Sequence, residues 1–84
     1  MKVKVCGLST AKQVRTCVQL ETDYCGFILN YPKSHRFIQL EKAKELTNID
    51  KKNTKYVGVL VNPKNKELEK FSELNIDYFQ IFYN

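Results

Sequence analysis

Tyr56-Val57-Gly58-Val59-Leu60-Val61 is an almost unbroken apolar run bounded by polar residues. It is too short for a free-standing helix, and it lacks the polar alternation of a strand with one wet face. It therefore reads as a strand covered on both sides, the signature of a parallel sheet. Working outward, Tyr24-Cys25-Gly26-Phe27-Ile28-Leu29 is a second such run. Residues 2–6 alternate around Val3 and Val5, and the aromatic-rich 78–82 makes a fourth strand.

Three stretches with helical spacing fill the gaps. In 10–21, Thr10 is a natural N-cap, and Ala11, Val14 and Val18 share a face with Cys17. In 39–47, Leu40, Ala43 and Leu46 recur at helical intervals; in 64–74, Leu68, Phe71 and Leu74 follow the Asn62-Pro63 turn, where Asn62 reads as a cap. The order β-α-β-α-β-α-β calls for parallel strands joined by right-handed crossovers. A ferredoxin-like sandwich needs one direct strand-to-strand connection, and every gap here holds a helix.

The expected fold class is therefore α/β: the first half of a (β/α)8 TIM barrel, with residues 1–84 as one incomplete barrel domain. A closed barrel typically takes about 250 residues, and here the pattern stops at Asn84 at the end of a strand, in a chain of 84 residues. An open half-barrel has two unpaired edges and an uncovered apolar face, so self-association through those edges is expected.

Composition narrows the function. With 43% hydrophobic and 27% charged residues the chain is globular and not disordered. No stretch approaches the roughly 20 apolar residues of a membrane helix, so no membrane partner is expected. Three cysteines (Cys6, Cys17 and Cys25) cannot all pair, and their spacing fits no zinc pattern, so no metal is expected. Reduced thiols with no signal peptide indicate the cytoplasm. A formal net charge of +5 suits nucleic acid or a phosphorylated small molecule. The lysines are scattered, however, and the cluster Lys51, Lys52 and Lys55 reads as a solvated loop, so nucleic acid is not the expected partner.

Candidate chemistry gathers where the strands end. Cys6 closes the first strand, followed by Gly7, a few residues before a helix begins. A thiol becomes a useful base when its pKa falls towards neutrality, which a helix N-terminus favours. Spacing alone leans towards a packed apolar thiol at a strand end, and Cys17 and Cys25 read as core. After the second strand comes the basic loop Asn30-Tyr31-Pro32-Lys33-Ser34-His35-Arg36-Phe37, in which Arg36 offers a planar fork to a carboxylate or phosphate. A solvated basic loop is the alternative. Gln80, flanked by Phe79 and Ile81, is expected to be buried, to need hydrogen-bond partners and to face the barrel mouth.

Together these stretches resemble the phosphoribosylanthranilate isomerase family of tryptophan biosynthesis. The matching elements are Lys4-Val5-Cys6-Gly7-Leu8-Ser9, Gly26-Phe27-Ile28-Leu29 with the loop through Ile38, Val57-Gly58-Val59-Leu60-Val61-Asn62, and Phe79-Gln80-Ile81. The resemblance covers nearly the whole chain. It implies an Amadori rearrangement, the isomerisation of N-(5'-phosphoribosyl)anthranilate to 1-(2-carboxyphenylamino)-1-deoxyribulose 5-phosphate, with no cofactor. By resemblance Cys6 is the general base, Arg36 holds the anthranilate part and Gln80 is a substrate contact. The general acid and the phosphate loops belong to later strands, so the 84 residues alone are expected to be inactive. Asp50 and Asp77 sit on the wrong side to serve as the acid. Phe82 and Tyr83 stand where the family has His-Gly, and His35 is a further departure just before Arg36. The rival reading is a small basic α/β binding module for nucleic acid or an acidic partner.

Overall fold

In the computed structural model, which describes residues 2–83, the runs become strands and helices in strict alternation. They are β1 (Lys4–Val5), α1 (Ala11–Gln19), β2 (Tyr24–Ile28), α2 (Leu40–Thr47), β3 (Lys55–Val61), α3 (Asn65–Ser72) and β4 (Tyr78–Phe82). Met1 and Asn84, which the 1–84 domain reading includes, lie outside the described residues. Among the described residues the strands form one sheet in the order β1-β2-β3-β4, every pairing parallel. The expected half-barrel order is present. The ends differ in detail: β1 is shorter than 2–6, and Leu29 falls just past β2, although its N–H still reaches the Val59 carbonyl at 3.1 Å.

Each helix forms for a local reason. Thr10 is extended at φ −129° and caps α1, its hydroxyl accepting from the Gln13 N–H at 3.2 Å, while Gln13 Oε1 takes the Ser9 and Thr10 N–H groups at 2.9 and 3.2 Å. Val14, Cys17 and Val18 then fall on one buried face. The cap of α3 differs from expectation. Asn62 adopts a left-handed φ of 45°, which asparagine tolerates, and the helix begins two residues later, at an N-cap on Lys64. Glu67 closes that turn, its carboxylate accepting from the Lys64 N–H at 3.0 Å.

The core lies between the sheet and the helices. Alternation sends Cys25, Phe27 and Leu29 from β2 and its end, with Tyr56 and Leu60 from β3, onto one face, where Val14, Ala43, Leu46 and Phe71 cover them. Phe27 and Tyr56 meet edge to face at 5.4 Å and are fully buried. Side chains of this size contribute about 1.5–3 kcal/mol each on burial. The other face is a different surface. Val57 and Val59 floor it, while Tyr78 and Phe82 are about half exposed. This concave face, the interior side of a barrel, positions the candidate site.

The strand-start end is tied shut by Asp77 and Lys51. The Asp77 carboxylate accepts the Tyr56 N–H at 2.8 Å and pairs with the Lys51 ammonium at 3.0 Å. Lys51 also lies 5.3 Å over the Tyr56 ring. Its reading as part of a solvated loop is therefore corrected: it is a structural cation, while Lys52 and Lys55 are exposed. Burial acts to raise the Asp77 pKa, but the Tyr56 N–H and the Lys51 charge outweigh it and hold the carboxyl below its ordinary value. Asp77 thus serves the opposite end of the sheet from the Cys6 turn, as the sequence reading placed it.

Candidate active site at the strand ends

Cys6 leaves β1 on a turn that only glycine makes easily. Gly7 has φ +79°, and its N–H and that of Leu8 both donate to the Gly26 carbonyl, at 3.0 and 3.1 Å. The turn is thereby fastened to β2, and Cys6 is left exposed, not packed as spacing alone suggested. Gly26 makes room for it. A β-carbon on Gly26 would stand 3.1 Å from the Cys6 Sγ and 3.3 Å from the Lys4 Cε. The thiol and the lysine stem thus flank the same bare stretch of β2. Cys17 and Cys25 are buried in the core as expected. Burial pushes the Cys25 thiol up to about 11, against a smaller lowering by the Thr22 hydroxyl.

The loop after β2 brings Arg36 to this turn. Its backbone is fixed by Ser34, whose Oγ accepts the Arg36 N–H at 3.1 Å, and by the Ile38 N–H, which donates to the Ile28 carbonyl at 3.0 Å. The Arg36 stem lies against Gly7, and its Nη1 points to the Cys6 carbonyl at 3.5 Å, too long to consume the guanidinium's donors. Both the side chain and that of His35 are exposed. Asn30, which sequence reasoning gave no role, clamps the loop to the end of β3. Its Oδ1 accepts the Val61 N–H at 2.7 Å and its Nδ2 donates to the Val61 carbonyl at 3.0 Å.

Gln80 is exposed, not buried as its neighbours suggested. Alternation sends Phe79 towards the helices and Gln80 onto the concave face, in register with Val59 and Ile28. Its Oε1 accepts a hydrogen bond from the Lys4 ammonium, joining the first and last strands across the trough. Lys4 is the residue sequence reasoning missed, and its signal was plain alternation: it lies two residues before Cys6 and so shares its face. Lys4 and Gln80 line a cavity of about 270 Å³ with Tyr24, Val57 and Tyr78. None of these is a carboxylate. A larger groove of about 770 Å³ runs on the helical side, bordered by Lys12, Arg15 and Gln19 of α1 and Glu45 of α2; it includes none of Cys6, Arg36 and Gln80.

Among the described residues no group of three His, Cys, Asp or Glu side chains is arranged to hold a metal ion, and no helix is long and apolar enough to cross a membrane.

Parallel βα units in sequential order, with polar side chains gathered where the strands end, define the class: these are units of a (β/α)8 barrel, which keeps its chemistry at that end. The family profile described as N-(5'phosphoribosyl)anthranilate (PRA) isomerase matches residues 3–83. The chain belongs to the PRA isomerase family. An N-(5'-phosphoribosyl)anthranilate isomerase of Streptococcus gordonii is 43% identical over 81 residues, covering 95% of this chain and 40% of that protein. One from Streptococcus pneumoniae is 41% identical with the same coverage. The chain thus spans well under half the length of the curated relatives it matches. Among solved structures, phosphoribosylanthranilate isomerase of Thermotoga maritima superposes with a TM-score of 0.89 at 29% identity, over 100% of this chain and 41% of its own. A second isomerase structure, in complex with reduced 1-(o-carboxyphenylamino)-1-deoxyribulose 5-phosphate, gives a TM-score of 0.89 at 29% identity, over 100% of this chain and 43% of its own.

Proposed function

We propose that these residues form the β1–β4 part of a phosphoribosylanthranilate isomerase site of tryptophan biosynthesis, with Cys6 as the general base. The observation that supports this most is the meeting of the Cys6 turn with the Arg36 stem at the C-terminal end of the sheet. The reaction opens the ribose ring as an acid protonates its oxygen. A base then removes the C2′ proton to give the enol that becomes the 1-deoxyribulose product. Cys6, exposed above Gly26, takes that proton, and the Arg36 fork holds the anthranilate carboxylate. Gln80 meets the substrate from the floor of the trough.

By resemblance to the family the general acid and the phosphate loops belong to later strands, so in this proposal a complementary half-barrel supplies both. In this proposal residues 1–84 supply half of one barrel. Substrate fluorescence tests it. The 84-residue chain alone should leave the anthranilate signal of phosphoribosylanthranilate unchanged, and addition of a complementary half-barrel from a relative should make it decay. Decay with the chain alone, or none from a folded combination, contradicts the proposal.

A further inference from the structure

We infer that Lys4 is a positioning residue that fixes which end of the Gln80 amide faces the substrate. An ammonium has donors and no acceptor, so only the amide oxygen of Gln80 can meet Lys4 Nζ. The Nε2 group is then turned away from Lys4, with two N–H donors for the trough. Gln80 is exposed, so those donors are open to a ligand. Without Lys4 the amide is free to rotate and to present oxygen or nitrogen alike.

The path of Lys4 explains why it reaches so far. Its Cε runs beside Gly26, where any side chain would crowd both it and the Cys6 thiol. The concave face curls enough for β1 and β4, the outermost strands of the order, to meet through these two side chains. Donors held in one orientation select an acceptor oxygen, so Gln80 would meet a hydroxyl or carbonyl oxygen of the sugar part of the proposed substrate. The bare face of Gly26 keeps the thiol and the amide on one open surface.

This inference rests on the isomerase reading, and the test separates the two. In the chain itself, Lys4→Met should move the Gln80 side-chain amide NMR signals to those of a freely rotating glutamine while β4 backbone signals stay in place; unmoved signals overturn the inference. In the enzyme completed with a complementary half-barrel, reduced 1-(o-carboxyphenylamino)-1-deoxyribulose 5-phosphate is the probe. Lys4→Met should weaken its binding about fivefold and Gln80→Glu about tenfold. Both should raise KM and leave kcat within about twofold, and Lys4→Arg should restore most of the loss. In a Gln80→Ala background, Lys4→Met should add nothing. An undiminished Lys4 effect there means direct contact and overturns the positioning role, as does full binding by Gln80→Glu. Failure of the unaltered combination to bind the probe contradicts the isomerase reading itself.

Discussion

The side chain of Arg36 occupies the space that a side chain on Gly7 would need: its Cδ lies 2.3 Å from where a β-carbon on Gly7 would stand. The turn that exposes Cys6 and the Arg36 side chain are thus one packed unit, although 28 residues of other structure separate Gly7 from Arg36 in the chain. Gly7→Ala strikes both. It places a β-carbon at φ +79°, at a cost of about 1–3 kcal/mol, and it displaces Arg36. Urea unfolding should show the lost stability, and the completed enzyme should show a raised KM. Unchanged stability and KM would separate the two residues.

Arg36 should contribute binding more than chemistry. A guanidinium meets a carboxylate with two parallel bonds, worth about 1.5–3 kcal/mol when charged. Arg36→Met should therefore raise the KM of the completed enzyme about 10–100-fold with a small change in kcat. Arg36→Lys should recover only part, because an ammonium lacks the fork. A full recovery would argue for a simple charge.

Thiol chemistry should single out Cys6. It is exposed, whereas Cys17 and Cys25 are buried and Cys25 titrates at about 11. At neutral pH a disulfide reagent should modify one thiol per folded chain quickly, and Cys6→Ser should abolish that fast phase. A fast phase that survives the substitution would place the reactive thiol elsewhere.

The far end of the sheet gives a pH prediction. The Asp77 carboxyl titrates below its ordinary value, so unfolding in acid takes up a proton. Its stabilisation is therefore complete above the ordinary aspartate value of about 3.9 and is lost as pH falls through it towards the lowered folded value. Asp77→Asn should destabilise the chain by about 0.5–1.5 kcal/mol at neutral pH, because the pair with Lys51 is partly exposed to solvent. In urea titrations the gap between the two proteins should hold above about pH 4 and narrow as the pH falls below it. A constant gap would mean that Asp77 acts through shape and not through charge.

Much of this was legible in the sequence because the runs at 24–29, 56–61 and 78–82 are bounded by sharp changes in polarity. Burial on both faces writes itself into consecutive apolar residues. The site was legible in part. Cys6 and Arg36 stand at strand ends, where chain order alone predicts a common edge. Lys4 was passed over because a lysine in a short strand ordinarily reads as solvent-facing, although alternation sets it on the face of Cys6. Its contact with Gln80 spans 76 residues and depends on how strongly the sheet curls, which no local pattern encodes. Gln80 was misread as buried because neighbouring aromatic residues hid the alternation that turns it outward. Asn62 looked like a cap by residue type, yet its left-handed backbone moved the helix start to Lys64.

Whether Cys6 removes the C2′ proton is decided by the kcat of Cys6→Ser in the chain completed with a complementary half-barrel. Serine keeps the size and a hydrogen bond but is a far poorer base at neutral pH. With Cys6 as the base, kcat should fall about 10²–10⁴-fold with KM little changed. Turnover equal to that of the unaltered chain would contradict it.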